Sequence, residues 1–591
     1  MNANALRIGN DGERGAHVRF RFEGREVEAY EGESVAAALW ASGVRALLAN
    51  DSAAGPPARS LFCAMGVCQQ CALWIDGQRL ESCRTPVRAG LDVRTDFAER
   101  SLRAGDRPLA TATMDSGLDL IVLGAGPAGA AAAIEAAALG LRVAVFDENP
   151  AAGGQVYRIA PGLSPASPDR ERADGDAMRS RLAVAKVDFR PLQRVWHVER
   201  VHDAWQVHAL GQDGSRTSRA TALIVATGAQ ERHLPFEGWE LPGVIGLAAA
   251  TVLLKAQRVL PGRAVVVAGA GPLLLVVAKS IIEGGGRVVA IVDANPRRAW
   301  FANPAALASR PDLVARGIGW MRALRKERVR MLHGYAMRAV AAHGASLRAT
   351  ATPVERSGQL RVDRAGVQFD CDAVCCGYGL MPATEVTRLV SAAHAFDVEL
   401  GGWHAIVDEN QRCDRPLLYV AGDGAGVVGA AAAPWQGRLA AMAAARDLGR
   451  IDARTHAARS VDARAARDRA ARFGAAMTQL ANVRDASVLA IAPDATICQC
   501  ERLTRATLDA AIDDGCATLN DLKTATRCGM GPCGGRLCED SAARLIAMRT
   551  GRTRADVGQA TGRPPLRPVG LDAIAGDFDY DALPIAAPSP L

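Results

Sequence analysis

Fourteen of the 591 residues are cysteine, and nine of these fall into two groups whose spacing suits iron. The first group reads Cys63-x4-Cys68-x2-Cys71-x11-Cys83. A C-x4-C-x2-C run with a distant fourth cysteine is the plant-type [2Fe–2S] spacing. Four thiolates must converge on two irons. Three can come from one loop wrapped around the cluster and the fourth from a neighbouring strand. Gly66 falls inside the first interval, where tight wrapping favours a residue without a Cβ. A structural zinc site is the plainer alternative, but zinc usually takes C-x2-C pairs, and these four are not two symmetric pairs. Cys63, Cys68, Cys71 and Cys83 are therefore the expected ligands of a first cluster. The second group is Cys498-x-Cys500, then Cys528, Cys533 and Cys538 in the glycine-rich stretch KTATRCGMGPCGGRLC. Both Cys528 to Cys533 and Cys533 to Cys538 make a C-x4-C interval, and zinc remains an alternative to iron here. Cys516 and the vicinal pair Cys375-Cys376 read as packing residues.

Two further stretches have the form of a dinucleotide site. Leu120 to Leu123 is a buried strand that runs into Gly124-x-Gly126-x-x-Gly129, with Pro127 and Ala128 between the last two glycines. An alanine-rich helix follows, then a strand from Arg142 to Phe146 that ends on Asp147. Strand, glycine turn, helix, strand and acid together form the fingerprint. Gly124 makes the turn, Gly126 admits the pyrophosphate, and Gly129 lets the helix close on the strand. The helix N-terminus faces the phosphates, and Asp147 takes the ribose hydroxyls. A second such unit begins with the strand Ala264 to Ala268, turns at Gly269-Ala-Gly271, and ends its next strand, Arg287 to Val292, on Asp293. Leu274 stands where the third glycine belongs, which forces the helix away from the strand or requires another packing solution. This unit is expected either to bind NAD or an adenine nucleotide through Gly269, Gly271 and Asp293, or to be kept as scaffold.

Each of these groups needs elements to hold it. Val18, Phe20 and Phe22 alternate, Gly24 turns, and Val27 and Ala29 alternate again, as in a hairpin. Ser34 can cap a helix through Leu39 and Trp40, with Gly43 at its end. Hairpin, helix, cysteine loop and strand is the order of a β-grasp ferredoxin. A helix dense in arginine (Arg454, Arg459, Arg464, Arg467, Arg469, Arg472) reads as a solvated linker face. A chain of this length needs three or four domains.

The net charge of +7 is diluted over many charged groups and is no nucleic-acid signature. The longest apolar run, Ala264 to Ala278, is shorter than the ~20 residues a span needs, so no integral membrane span is expected. The N-terminus has no apolar core, which predicts no secretory signal and a cytoplasmic protein. There, disulfides are kept reduced. No GxxxxGK[ST], HExxH or GxSxG occurs, and no cysteine lies between 84 and 370, so the redox-active pair of the disulfide reductases is missing.

The stretch LFCAMGVCQQCALWIDGQRLESCRTPV resembles the small ferredoxin domain that is fused to, or accompanies, bacterial amine and opine dehydrogenases. VLGAGPAG, DENPAAGGQVYR, ATGAQERHLPF, CCGYGLMPATEV and YVAGDGAGVVGA resemble the α subunits of heteromeric flavin amine dehydrogenases: opine oxidases, hydroxyproline dehydrogenases and hydrogen cyanide synthase. The α subunit of heterotetrameric sarcosine oxidase is also similar. It carries an extra folate-binding domain for which this chain ends too early, so folate chemistry is not implied. The resemblance implies an α/β fold of the glutathione-reductase type. A β-grasp [2Fe–2S] domain spans 1–98 and a linker 99–117. An FAD domain (118–250 and 386–448) encloses a nested Rossmann-like nucleotide domain (251–385). A helical linker (449–490) leads to a small helical [2Fe–2S] domain of the bacterioferritin-associated-ferredoxin type (491–560) and a proline-rich tail (561–591). It further implies FAD held by the first fingerprint with Glu148, Gly153, Gly154, Gln155, Ala226, Thr227, Gly228, Gly422 and Asp423, the last binding the ribityl chain. A helix from about Gly429 would point its positive end at the flavin. Cys498, Cys500, Cys533 and Cys538 become the expected ligands of the second cluster, with Cys528 in reserve.

The resemblance also admits an FMN at a subunit interface. It implies no catalytic residue on this chain. Substrate oxidation, hydride removal from a C–N bond, would occur on a partner β subunit of the amino-acid-oxidase flavoprotein type, within a hetero-oligomer. This chain would be the flavin and iron–sulfur electron-transfer subunit for an opine, a hydroxyproline or proline, or a glycine. Two alternatives are a self-sufficient NAD(P)H-dependent reductase that uses the nested domain, and a non-enzymatic redox sensor or scaffold.

Overall fold

The structure is a computed structural model that describes residues 6–9, 14–48, 58–96, 113–159, 170–211, 214–361, 363–571 and 574. Most of the expected linker 99–117, and the tail beyond 571 except residue 574, lie outside the described residues.

The strands His17–Phe22 and Arg25–Tyr30 pair antiparallel, with Phe20 opposite Val27. Asp92–Arg94, Ala72–Ile75 and Gln78–Glu81 complete the five-stranded sheet. The helix Val35–Ala41 is wholly buried and starts where Ser34 accepts the amide of Ala37 at 3.3 Å. Such a cap is worth ~1 kcal/mol. This domain is fastened to the nested unit by buried polar contacts. Ser34 N donates to Gln257 at 2.7 Å, Trp40 Nε1 to Pro261 O at 3.1 Å, and Arg14 to Arg258 O at 2.7 Å. Glu33, fully buried, is paired by Arg7 and Arg14, each at 2.9 Å.

The FAD unit has a seven-stranded sheet. Val187–Arg190, Val143–Phe146, Thr113–Leu123, Gly214–Val225 and Leu418–Val420 lie side by side and parallel. Ala204–Gly211 and Arg194–Val201 extend it antiparallel. The nested unit is a five-stranded parallel sheet in the order Val244–Gly246, Ala373–Gly377, Ala264–Gly269, Arg287–Asp293 and Arg330–His333. Its strands are almost continuously apolar because both faces are covered. A two-stranded ribbon, Ala229–Glu231 against Leu380–Pro382, carries the chain across and back. The nested sheet therefore begins at Val244, ahead of the expected boundary at 251. Cys375 and Cys376 sit buried on the second strand of this sheet.

The arginine-rich segment is a 29-residue helix, Ala453–Ala481, and it does more than link. Arg454, Arg459, Arg469 and Arg472 face solvent as expected. The opposite face packs on the FAD unit. Ala463 joins Leu439 and Met442 in a small core, Thr478 donates to Val427 O at 2.8 Å, and a Cβ at Gly474 would overlap Val428 O. Small residues let the two backbones approach closely. The helix after the last FAD motif begins at Ala433, later than the expected Gly429. The C-terminal domain is helical, with Arg505–Asp513, Leu519–Thr526 and Glu539–Thr550 behind the short strands Thr496–Cys498 and Leu503–Thr504.

Candidate functional site

The first glycine turn opens on a cavity of about 1510 Å³. Gly124, Gly126, Pro127, Ala128, Asp147, Glu148, Gly154, Gln155, Ala226, Thr227, Gly228, Gly422 and Asp423 all line it. Sequence-distant segments meet here because the parallel strands end on one edge. Gly124 has φ +98°, a conformation that disfavours any side chain. A Cβ at Gly129 would overlap Gly124 O, so glycine alone lets the helix Pro127–Ala138 close on the turn. That helix has no side-chain cap, and its first amides are left for a ligand. Gly153 sits behind the wall and donates to Ala125 O at 2.9 Å. Asp147 accepts Ala125 N at 2.6 Å and Asn149 N at 2.7 Å, and burial pushes its carboxyl above the usual range. Burial also lifts the Asp423 carboxyl to about 6, and its shielded Oδ1 has no partner. A hydroxyl of a bound ribityl chain would supply the missing donor, so the residues present fit FAD.

The nested turn is arranged differently. Gly269, Gly271 and Asp293 follow the same order, but the end of the helix Ala453–Ala481 lies on the turn. A Cβ at Gly271 would stand 2.6 Å from Ala481 Cβ, and Asn295 Nδ2 donates to Leu480 O at 2.7 Å. Asp293 is 1% exposed. Its Oδ2 accepts Trp300 Nε1 at 2.8 Å and contacts His333 Nδ1 at 3.2 Å, and its Oδ1 accepts Asn295 N at 3.0 Å. The expected ribose acceptor already receives the protein's own donors and the helix end lies on Gly271, while Ala270, Pro272, Leu273 and Trp300 beside it line the same cavity as the first turn. Leu274, in place of the third glycine, is buried in the core.

The first cysteine set forms two side-chain pairs, Cys63 with Cys68 and Cys71 with Cys83. Two thiols for each of two irons is the demand of a binuclear cluster. Burial opposes ionisation of Cys63, but the Cys68 thiol and the amides of Met65, Cys68 and Val67 outweigh it and bring the thiol down to about 6. The second set gathers all five cysteines. The ligand atoms of Cys498, Cys528 and Cys538 lie within 4.8 Å of one another, and Cys500 pairs with Cys533. Cys528 is thus as well placed as Cys538. The Cys528 and Cys538 thiols and the amides of Gly529 and Glu501 push Cys498 well down, which suits a thiolate ligand.

Three features were not legible in the motifs. Burial pushes Glu231 up to about 8; it stands on the cavity wall and accepts Ala248 N at 3.1 Å. Arg84, next to Cys83, pairs with Glu148, which also meets Arg567 at 3.3 Å. Burial opposes ionisation of Glu148, but Arg84, Arg567 and Arg194 outweigh it and hold the carboxyl at about 2. The start of the proline-rich tail returns to the FAD unit, where Leu566 is buried and donates its amide to Trp196 O at 2.7 Å. Nothing local marks these pairings, since each partner lies far away in sequence.

Comparison with known proteins agrees with this arrangement. Residues 15–98 match a 2Fe-2S iron-sulfur cluster binding domain, 118–449 the pyridine nucleotide-disulphide oxidoreductase family, and 494–577 the sarcosine oxidase A3 domain. The opine oxidase A-type subunit of Agrobacterium tumefaciens is 34% identical over 77% of this chain and 91% of its own length. Hydrogen cyanide synthase subunit HcnB of Pseudomonas aeruginosa is 29% identical over 77% of this chain and 97% of its own. The crystal structure of L-proline dehydrogenase from P. horikoshii shares the fold, with a TM-score of 0.70 over 97% of this chain and 99% of that one at 20% identity. No helix among the described residues is long and apolar enough to cross a membrane. The chain belongs to the family of the opine oxidase A-type subunits, and is an FAD-dependent oxidoreductase of the pyridine nucleotide-disulphide type with an N-terminal [2Fe–2S] domain.

Proposed function

We propose that this chain is the flavin and iron–sulfur electron-transfer subunit of a heteromeric dehydrogenase or oxidase acting on the C–N bond of an amino-acid derivative of the opine, hydroxyproline or proline, or glycine class. The observation that carries this reading is that Met65 and Val67, from the first cysteine loop, form part of the wall of the flavin cavity. Arg158 strengthens that junction by donating to Ala64 O at 3.1 Å. FAD, when bound, takes electrons in pairs and releases them singly, which matches a one-electron iron–sulfur centre beside it.

The chain's own residues hold the flavin and the two clusters in place. The amides at the start of the helix Pro127–Ala138 receive the pyrophosphate, Asp147 the ribose, and Asp423 the ribityl chain. Cys63, Cys68, Cys71 and Cys83 hold the first cluster. Cys498, Cys500, Cys533 and Cys538, with Cys528 able to replace one of the last two, hold a second. The relatives' names as subunits support a partner chain, which in this reading oxidises the substrate and is of the amino-acid-oxidase flavoprotein type. The rival reading, a self-sufficient NAD(P)H reductase, is disfavoured by the helix end lying across the nested turn.

Purified protein should contain about four irons and one FAD per chain, as two binuclear clusters require. A flavoprotein oxidase-like chain should co-purify with it, and the complex should reduce an artificial dye with an opine, a proline derivative or glycine. A complex that reduces no dye with any of these substrates would refute the proposed substrate class. Iron content unchanged by both Cys63→Ser and Cys498→Ser would refute the ligand assignment.

A further inference from the structure

The two cysteine sets lie at opposite ends of the sequence but in one apolar core. Phe62, Cys63, Met65 and Cys68 share that core with Cys498, Cys528, Leu537 and Cys538. Between the two loops stands a wall of three rings. Phe62 meets His233 edge-on at 5.0 Å and Trp239 at 5.2 Å, and His233 lies 4.1 Å from Trp239. Both domains grip this wall. Trp239 Nε1 donates to Thr496 O at 2.8 Å, two residues before Cys498, and Ser541 Oγ donates to His233 O at 3.3 Å, three residues after Cys538.

A void of about 10 Å³ is lined both by Cys63 and Met65 of the first loop and by Arg536 and Leu537 of the second. That is room for no more than about one water molecule. His233 is buried, its Nε2 has no partner, and burial alone pushes the ring down to about 3, so it is neutral at physiological pH. The three rings are therefore uncharged and closely packed, and Glu231, Arg232 and Arg536 line the void beside them. Met65 and Val67 line this void as well as the flavin cavity, so the first loop stands between the flavin and the second cysteine set.

We propose that the two iron–sulfur sites form one electronically coupled pair, joined across the Phe62–His233–Trp239 wall, with the N-terminal site as the middle station between flavin and C-terminal site. This rests on the reading of both cysteine sets as [2Fe–2S] ligands. The exchange is balanced within the pair. One electron leaves a reduced cluster, which returns to its diferric state, and enters the other, which becomes mixed-valent; no proton and no further reactant is needed. Together the pair holds two electrons, the number that one C–N bond oxidation releases.

The test is electron paramagnetic resonance on the holoprotein, reduced stepwise with dithionite and assayed for iron. In the fully reduced protein each signal should be split or broadened by the other. Each should also relax several-fold faster than the lone signal of half-reduced wild type, and of a Cys500→Ser variant that keeps only the first cluster. The half-reduced comparison stands even where the variant fails to fold. A fully reduced spectrum that is the plain sum of two undisturbed signals, from protein with its full iron, overturns the coupling and leaves the ligand reading intact. Half the iron and a single signal in the wild type overturns both.

Discussion

The two glycine turns are built from nearly the same sequence and end in different states. Both border the cavity of about 1510 Å³, the first through Gly124 and Gly126 and the nested one through Ala270, Pro272 and Leu273, but Gly271 is also overlain by Ala481. Asp147 lines the cavity, whereas Asp293 is bonded by Trp300 and Asn295 and in contact with His333. The local motif specifies a strand, a turn and an uncapped helix end. Whether a nucleotide reaches that helix end is decided by what the rest of the chain lays across it. Here the same helix touches both: Gly474 closes on Val428 beside the flavin cavity, and the C-terminal Ala481 lies on Gly271 of the nested turn.

The comparison breaks most violently at the third glycine. Gly129→Val places side-chain atoms on Gly124 O, an overpacking that costs about 3 kcal/mol and forces the helix off the turn. Acid-released flavin per mole of protein should fall almost to zero, and flavin retained at the wild-type ratio would mean the turn is not its site. The matching position in the nested unit should behave as core. Leu274→Ala removes a side chain that is 1% exposed and should cost about 3 kcal/mol of stability in thermal or urea unfolding. Folded protein should still carry its flavin in full ratio.

Much of this was readable from local pattern. Ser34 is followed by a buried helix, and Phe20 and Val27 face each other because alternation sets hairpin register. The spacing of Cys63, Cys68, Cys71 and Cys83 puts three of them in one loop, and the structure brings Cys63 beside Cys68 and Cys71 beside Cys83. What escaped depends on distant partners. Arginines mark the exposed face of the helix Ala453–Ala481, but Ala463, Gly474 and Ala481 declare nothing until Met442, Val428 and Gly271 arrive beside them. Likewise the choice among Cys528, Cys533 and Cys538 is made by how one loop folds. Interval counting could not see that Cys528 lies as near Cys498 as Cys538 does.

A smaller effect separates stability from binding at the open site. The Asp423 carboxyl has its ordinary value of 3.8 when unfolded and about 6 in the folded, flavin-free chain. A raised value means that the protonated form stabilises the fold. That contribution is complete below 3.8 and is lost as pH rises through about 6. At pH 7 the apoprotein therefore holds an ionised carboxylate at a cost on the order of 3 kcal/mol. Asp423→Asn should raise the apoprotein's Tm at pH 7, and the gain should vanish near pH 4. The same change should weaken FAD binding roughly tenfold, as loss of one charge-assisted hydrogen bond implies. A variant that loses both stability and flavin would assign Asp423 to packing instead.

The smallest expected effect is none at all, and it tests the closed site directly. NADH added anaerobically to the isolated holoprotein should leave the flavin spectrum unchanged, because Ala481 lies on Gly271 and Asp293 is already bonded by Trp300 and Asn295. Rapid bleaching would show that the helix end at Leu480–Ala481 moves aside, and would revive the NAD(P)H reductase reading. Binding without bleaching is the intermediate case, and calorimetry separates it from no binding. A nucleotide that does bind must displace Ala481 from Gly271 and compete with Trp300 and Asn295 for Asp293. Its affinity would then rise in an Asn295→Ala variant, which releases Leu480 O and loosens the helix end. An open dinucleotide turn would show no such gain, so the direction of that one change distinguishes a gated site from a permanently filled one.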